Sequence, residues 1–354
     1  MAGGGDKTLC SSLAAALAAR PGFDGITAAR LKALPAKGLV HDHVAVSGVA
    51  LDGCAVLVRV PRRLPAGLSA AAFLAYEAAG FARAAPSGHV PRLFATIAPA
   101  PDLPFGALLV ESVAGRPPRL PGDMAAIATA LAALHALPMP APAARAPLHD
   151  DRDPVAMTLA RIEAQARALP DLALSDRARR AIDAEIDWAR GFAARAAGHA
   201  QPRALVMTDT HPGNFLIRDD GRALCVDLEK AAYGAVAFDL AHASLPISTR
   251  WDPDCAAPLA RADVVAFYRS YLACLSPDRA RALAPWLLPA RRLIWLRTMT
   301  FCAKWATRPG AGAGDEGLDP AMRRHLAALL DDIFSAETIA ATRAEWLGDA
   351  PLVL

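Results

Sequence analysis

Three polar side chains in the segment LVMTDTHPGNFLIRDDGRALCVDLEKAAYGAVAFDLA, residues 205–241, have types and spacing suited to chemistry. They are Asp209, Asn214 five residues later and Asp227 thirteen beyond that. Transfer of a phosphoryl group asks little covalent help of a protein: it needs an acceptor hydroxyl held in line, metal ions on the phosphates and fixed positive charge. A loop carboxylate can accept the hydroxyl proton, and an amide oxygen farther along the loop can reach a magnesium ion. A second carboxylate, brought back by a hairpin, can hold the metal that bridges the β- and γ-phosphates. Asp209, Asn214 and Asp227 follow that order. The plain alternative makes Asp209 a helix cap, Asn214 a turn residue and Asp227 a strand-end residue.

This arrangement works only if the chain doubles back between Asn214 and Asp227. Two short β-rich runs, FLIR and ALCVDL, flank Asp219-Asp220-Gly221-Arg222, and that pattern predicts the hairpin. Upstream, HVAVSGVAL and CAVLVRV flank Asp52-Gly53, a second hairpin signal. SAAAFLAYEAAGFARAA opens on Ser69 as a helix N-cap and repeats apolar residues at helical spacing. PRLFATIA and FGALLVESVAG read as further strands. Beyond Gly115 the pattern turns helical, from Gly122 to Leu137 and again from about Val155 to Ala197. After the hairpin it is helical once more, interrupted by RPGAGAGDEGLDP, a glycine-rich surface loop. Strands and helices do not alternate, which excludes a Rossmann fold or an α/β barrel.

The composition narrows the class. The 354 residues suffice for one large or two ordinary domains. The hydrophobic fraction is 54%, raised largely by alanine, and the run MAAIATALAALHALP is too short and interrupted to span a bilayer. Net charge is +3 with scattered arginines, which argues against a dedicated nucleic-acid binder. The six cysteines show no Cys-x-x-Cys pair and no zinc spacing, so reduced thiols are expected. With no secretory pattern at the amino terminus, a cytoplasmic location is the expectation.

The segment resembles the aminoglycoside phosphotransferase family and its choline-kinase-like relatives. MTDTHPGN is similar to that family's His-Gly-Asp-x-His-x-x-Asn brace, and VDLEKAAYGAVAFDLA to its metal-binding aspartate followed by Gly and Asp-Leu-Ala. The resemblance implies an α+β, two-lobed protein-kinase-like fold, with a small β-rich N-terminal lobe and a larger, mostly helical C-terminal lobe. On that reading residues 1–25 are a tail and short helix, 26–115 the nucleotide-binding lobe, and 116–354 the catalytic and substrate lobe. It implies ATP and Mg2+ as cofactors, Asp209 as catalytic base and Asn214 and Asp227 as magnesium ligands. His211 becomes a loop-holding residue, and Asp239 a brace beneath the loop. Arg59 occupies the place of a phosphate-binding lysine, paired with Glu77, against the alternative of a surface arginine. The carbonyl of Glu111 and amide of Val113 would contact adenine.

The chain departs from the family pattern in three places. Met207 and Thr208 stand where the family has His-Gly, and Arg59 stands for lysine. KGLVHDHVAV, at the expected phosphate-covering turn, holds only Gly38. Its Asp42 would repel phosphate unless turned away, and its His41 and His43 read as exposed rather than zinc-binding. For the substrate, Trp251, Trp286, Trp295, Trp305, Tyr268 and Tyr271 either cage a quaternary ammonium or pack a core. Arg291, Arg292 and Arg297 on one basic helix would suit a carboxylate or phosphate group. The expectation is an ATP-dependent kinase of a small-molecule hydroxyl, with no nucleic-acid or membrane partner and no statement on oligomeric state. A nucleotide-binding pseudokinase acting as an interaction module is the competing reading.

Overall fold

A computed structural model describes residues 3–35, 38, 40–308 and 318–354; the glycine-rich stretch 309–317, and Lys37 and Leu39 of KGLVHDHVAV, lie outside the described residues. The chain forms two compact units, one made of residues up to Pro86 with Val90–Ala114, the other of Ser87–His89 with most of the chain from Gly115 onward.

The first unit carries helix α1 (Gly3–Ala18), strands β1 (Leu31–Ala33), β2 (His41–Leu51) and β3 (Cys54–Pro61), helix α2 (Ala70–Ala84), and strands β4 (Leu93–Ile97) and β5 (Ala107–Glu111). The strands form one antiparallel sheet in the order β1-β2-β3-β5-β4. Asp52 and Gly53 both take left-handed backbone angles, φ 48° and 77°, and so make the tight turn whose twist matches the β2–β3 ribbon. Alternation along β3 turns Val56, Val58 and Val60 to one face, where they meet Val44 and Val46 of β2 and Leu13 and Leu17 of α1. Each such fully buried aliphatic side chain contributes about 1.5–3 kcal/mol. The Ser69 hydroxyl caps α2 by accepting from the Ala72 amide, 3.2 Å away. One expectation is corrected here: His41 through Val46 lie within β2, so the second half of KGLVHDHVAV is strand rather than turn.

The second unit holds α3 (Met124–His135), β6 (His149–Asp150), α4 (Pro154–Ala166), α5 (Asp176–Ala196), β7 (Arg203–Val206), β8 (Phe215–Ile217), β9 (Ala223–Cys225) and β10 (Ala232–Ala235). Helices α6 (Val236–Ser244), α7 (Arg261–Ala273), α8 (Pro277–Thr307), α9 (Pro320–Ile333) and α10 (Ala336–Leu347) follow. Strands β6, β10 and β7 make a small sheet, and β8 and β9 an antiparallel hairpin with Phe215 opposite Cys225. Helix α8 is the axle, packing on α4 and α6 with Leu293, Ile294, Leu296 and Met299 fully buried. Gly115 is required by close approach: a Cβ there would stand 2.9 Å from the Ile217 carbonyl oxygen, where the chain exchanges two hydrogen bonds between Arg116 and Ile217.

The chain is thus α+β, with a sheet-rich first unit and a mostly helical second unit. All six cysteines are free thiols, and among the described residues no helix is long and apolar enough to cross a membrane.

Candidate active site

The loop leaving β7 is held from below by helix α6. The Asp239 carboxylate, fully buried, accepts from the amide of Met207 at 2.7 Å and of Thr208 at 2.9 Å. Asp239 also meets His135 Nε2 at 3.2 Å, and the Tyr271 hydroxyl lies 2.8 Å from His135 Nδ1. This line is satisfied by one neutral imidazole tautomer that donates to Asp239 and accepts from Tyr271. One turn on, His242 Nδ1 accepts from the Thr210 amide at 3.0 Å, while the Thr210 hydroxyl donates to the Asp239 carbonyl at 2.7 Å. Burial, against the pull of Asp209, pushes His242 down to about 3, so its ring is neutral and its Nδ1 lone pair is free to accept.

Thr208 sits at φ +61°, a left-handed conformation that costs a β-branched residue about 1–2 kcal/mol. That explains why a glycine suits this position. Thr208 offsets part of the cost with its hydroxyl, which donates to the Lys230 carbonyl at 2.8 Å. Met207, fully buried, fills the place of the family histidine with apolar bulk.

Asp209, Asn214 and Asp227 are brought to the same end of the β8–β9 hairpin. Asn214 Nδ2 donates to the Asp209 carbonyl at 2.9 Å, and the Asn214 carbonyl accepts from the Val226 amide at 2.9 Å. Asn214 is therefore bonded to the neighbour of Asp227, and among the described residues no hydrogen bond reaches its amide oxygen. The Asp209 carboxylate is met by the half-exposed Lys230 ammonium, 2.5 Å from Oδ2. Burial would raise the Asp209 carboxyl, but Lys230, with His211 and His242, holds it well below the usual carboxylate range. Burial would likewise lower the Lys230 ammonium, and Asp209 with Glu229 drives it the other way, above its ordinary value.

In the first unit Arg59, on β3, is buried, which excludes the surface-arginine alternative. Its guanidinium lies 3.8 Å from Glu77 Oε1 on α2. His41 stands between them, with Nδ1 3.4 Å from Arg59 and Nε2 2.9 Å from Glu77; His43 Nε2 is also 3.4 Å from Arg59. His41 is buried and stacked on Phe73, so the expectation of exposed histidines fails for it: β2 pairs with β3 in the register that sets His43 opposite Arg59. Asp42 pairs with Arg62 at 3.4 Å. Glu111 ends β5, with its amide donating to the Arg92 carbonyl; Val113 follows two residues later.

Other expectations are revised. The His211 carbonyl accepts from the Asn214 amide at 2.9 Å, but among the described residues its imidazole makes no hydrogen bond: Nδ1 is buried without a partner, and Nε2 is 4.0 Å from Asp209. The loop-holding imidazole is His242, three residues past Asp239 in FDLAHAS, a helical step that points both side chains the same way. Lys230 was legible only as the third residue after Asp227. Gly213 admits Asp252 so closely that a Cβ there would stand 2.5 Å from the Asp252 side chain. Of the aromatic set, Tyr268, Tyr271 and Trp295 are buried core residues, Trp286 packs on Phe192, and Trp251 lies against Trp305 with ring centroids 5.7 Å apart. Of the three arginines, Arg291 is bound to Glu345 and Arg292 to Glu185, each at 2.5 Å. Arg297 instead donates to the Thr208 carbonyl at 3.4 Å.

Comparison with known proteins agrees with this architecture. The profile of the phosphotransferase enzyme family matches residues 49–275. Among solved structures, a choline/ethanolamine kinase family protein of Mesorhizobium loti superposes with a TM-score of 0.60 at 18% identity, over 94% of this chain and 95% of that one. An ethanolamine kinase of Plasmodium vivax gives 0.54 at 10% identity over 85% and 81%, and a choline kinase of Cryptosporidium parvum 0.53 at 14% over 92% and 96%. At these identities the likeness is one of fold. No curated protein sequence matches.

Proposed function

The chain belongs to the phosphotransferase enzyme family, and from that premise we propose that it moves the γ-phosphoryl group of ATP onto a hydroxyl of a small molecule. Asp209 is the residue that receives the acceptor hydroxyl, and Asn214 and Asp227 are the ligands of a magnesium ion. The observation that supports this reading is the hydrogen-bonded run Asp209–Asn214–Val226, which ties the loop carrying Asp209 and Asn214 to the residue that precedes Asp227.

The donor set fits the metal. An amide oxygen and a carboxylate are ligands that magnesium accepts, and the Asn214 side chain is already oriented by its bond to Asp209. When bound, the ion would neutralise charge on the phosphates. The work of this chain is to position. Ionised at neutral pH, Asp209 takes the hydroxyl's hydrogen bond and orients its oxygen toward phosphorus; a carboxylate held so low removes the proton only as the new bond forms. Lys230 and the amides bound to Asp239 keep that carboxylate in place. In the nucleotide-binding lobe, residues 26–115, Arg59 supplies the phosphate cation, steadied by Glu77, and the backbone of Glu111 and Val113 receives adenine. Residues 116–354 form the catalytic and substrate lobe.

One observation favours the second reading, a nucleotide-binding pseudokinase: Lys230 already occupies one oxygen of Asp209. A screen of ATP consumption against small alcohols, amino alcohols and sugars, with magnesium and with chelator, separates the two. Turnover that needs both magnesium and an acceptor is the expected result. ATP binding without turnover on any acceptor would establish the pseudokinase instead.

A further inference from the structure

Helix α8 carries five arginines; Arg279 and Arg281, near its start, are bonded to the His135 carbonyl and to Asp278, and of the remaining three, two are fully used inside the protein. Arg291, wholly buried, is forked onto Glu345 and bonded to Ser244. Arg292 is forked onto Glu185 and lies 4.0 Å over the ring of Trp188. Arg297 differs. Among the described residues its guanidinium makes one hydrogen bond, the 3.4 Å contact with a backbone carbonyl, and no carboxylate lies within ion-pair distance of it. The two carboxylates whose charge it feels have other partners: Asp209 holds Lys230, and Asp239 holds two loop amides. Burial first, and then the charge of Arg161 on α4, push Arg297 down to about 10. A half-buried cation thus lies against the carbonyl next to Asp209, and α4, which packs on α8, carries a second, exposed cation, Arg161. Such a pair gains most from an added oxyanion, which guanidinium groups grip with two parallel bonds.

Resting on the phosphotransferase reading above, we propose that the acceptor carries an oxyanion, a carboxylate or a phosphate, seated on Arg297 with Arg161 as its second cation. The anion would anchor the acceptor one residue from Asp209, leaving its hydroxyl to meet that carboxylate. This requirement sets the chain apart from kinases of cationic amino alcohols: a choline-like ammonium would be repelled by the same two arginines.

The test uses the full chain with ATP and magnesium and a bacterial small-molecule extract cleared of macromolecules. The extract is passed over an anion exchanger at about pH 10, where α-amino groups are largely neutral. The retained fraction should support ADP formation and the flow-through should not. Phosphatase treatment of the extract before fractionation then separates the sources: lost activity identifies a phosphate, retained activity a carboxylate. With the retained fraction as acceptor, Arg297→Met should raise the acceptor KM about ten- to a hundredfold, leaving ATP KM and melting temperature unmoved. Arg297→Lys should fall between, because the charge remains and the fork is lost. Turnover supported by the flow-through alone would overturn the inference and leave the phosphotransferase reading standing. So would an Arg297→Met variant that loses kcat and melting temperature while keeping its acceptor KM, since that is the signature of a loop support. ADP formation with no fraction at all would sink both.

Discussion

Two charged regions of the second unit, both touched by helix α8, use similar residues to opposite ends. In one, Glu185, fully buried, receives Arg292, Arg343 and the indole of Trp346, tying α5, α8 and α10 together. Both guanidiniums there bond the same buried carboxylate, and the result is architecture. In the other, Asp209, Lys230, His211, His242 and Arg297 gather around one loop, where the carboxylate is partly accessible, one histidine nitrogen has no partner and one arginine has only a carbonyl. Charge left incompletely answered is charge available to a ligand. The difference teaches that the arginine content of a helix says little about its role; what matters is whether each guanidinium has found its carboxylate at home.

Substitutions can break this contrast, beginning with the largest effect. Asp209→Asn should lower turnover by about a hundred- to ten-thousandfold, the usual worth of a positioned acid–base group, with ATP affinity and melting temperature nearly unchanged. Turnover close to wild type on a confirmed acceptor would remove Asp209 from the chemistry. Glu185→Ala is the mirror experiment. Removing one partner of a buried ionic cluster costs about 3 kcal/mol or more, seen as a lower denaturation midpoint, while KM for ATP stays constant in the surviving folded enzyme. An unaltered midpoint would show that the Glu185 cluster is not the structural element described.

Arg59 tests the boundary, because it is buried like the first region, yet its contacts with His41 and His43 are 3.4 Å long and that with Glu77 3.8 Å. Arg59→Ala should weaken ATP binding about ten- to a hundredfold, measured by calorimetric titration, and Arg59→Lys should also bind less tightly than wild type. Equal affinity for all three would place the phosphate cation elsewhere.

A smaller effect is expected from pH. His242 is held at about 3 in the folded chain, below its ordinary 6.5. Between those values the unfolded chain binds a proton that the native chain does not, so this stabilisation is complete above 6.5 and falls as pH drops toward 3. Melting temperature should therefore fall less between neutral pH and pH about 5 in His242→Gln than in wild type; parallel declines would remove His242 from the balance. The smallest effect belongs to Thr208→Gly. Relief of the left-handed strain and loss of the hydroxyl bond to Lys230 are each about 1 kcal/mol, so stability should move by less than about 1 kcal/mol. Turnover should still drop a few-fold as Lys230 loses its anchor, and a variant with full turnover would show that anchor to be idle.

Much of this molecule is written in short stretches. The Asp52-Gly53 turn, the Ser69 cap, the β8–β9 hairpin and the spacing of Asp209, Asn214 and Asp227 were all legible, because each depends on backbone geometry within about twenty residues at most. The resemblance of that segment to phosphotransferases rested on the same local pattern. What tertiary structure alone decided is which charged side chain answers which. His242 rather than His211 holds the loop, since α6 aims its third residue past Asp239 at the Thr210 amide. Lys230 faces Asp209 across 21 positions, Arg292 meets Glu185 across 107, and Arg291 meets Glu345 across 54. No local rule reaches that far: ion pairs in water are nearly indifferent to partner, and it is the packing of α8 against α4, α5, α6 and α10 that selects among them. That packing satisfies Arg291 and Arg292 with carboxylates and leaves Arg297 beside the loop, bonded to the Thr208 carbonyl.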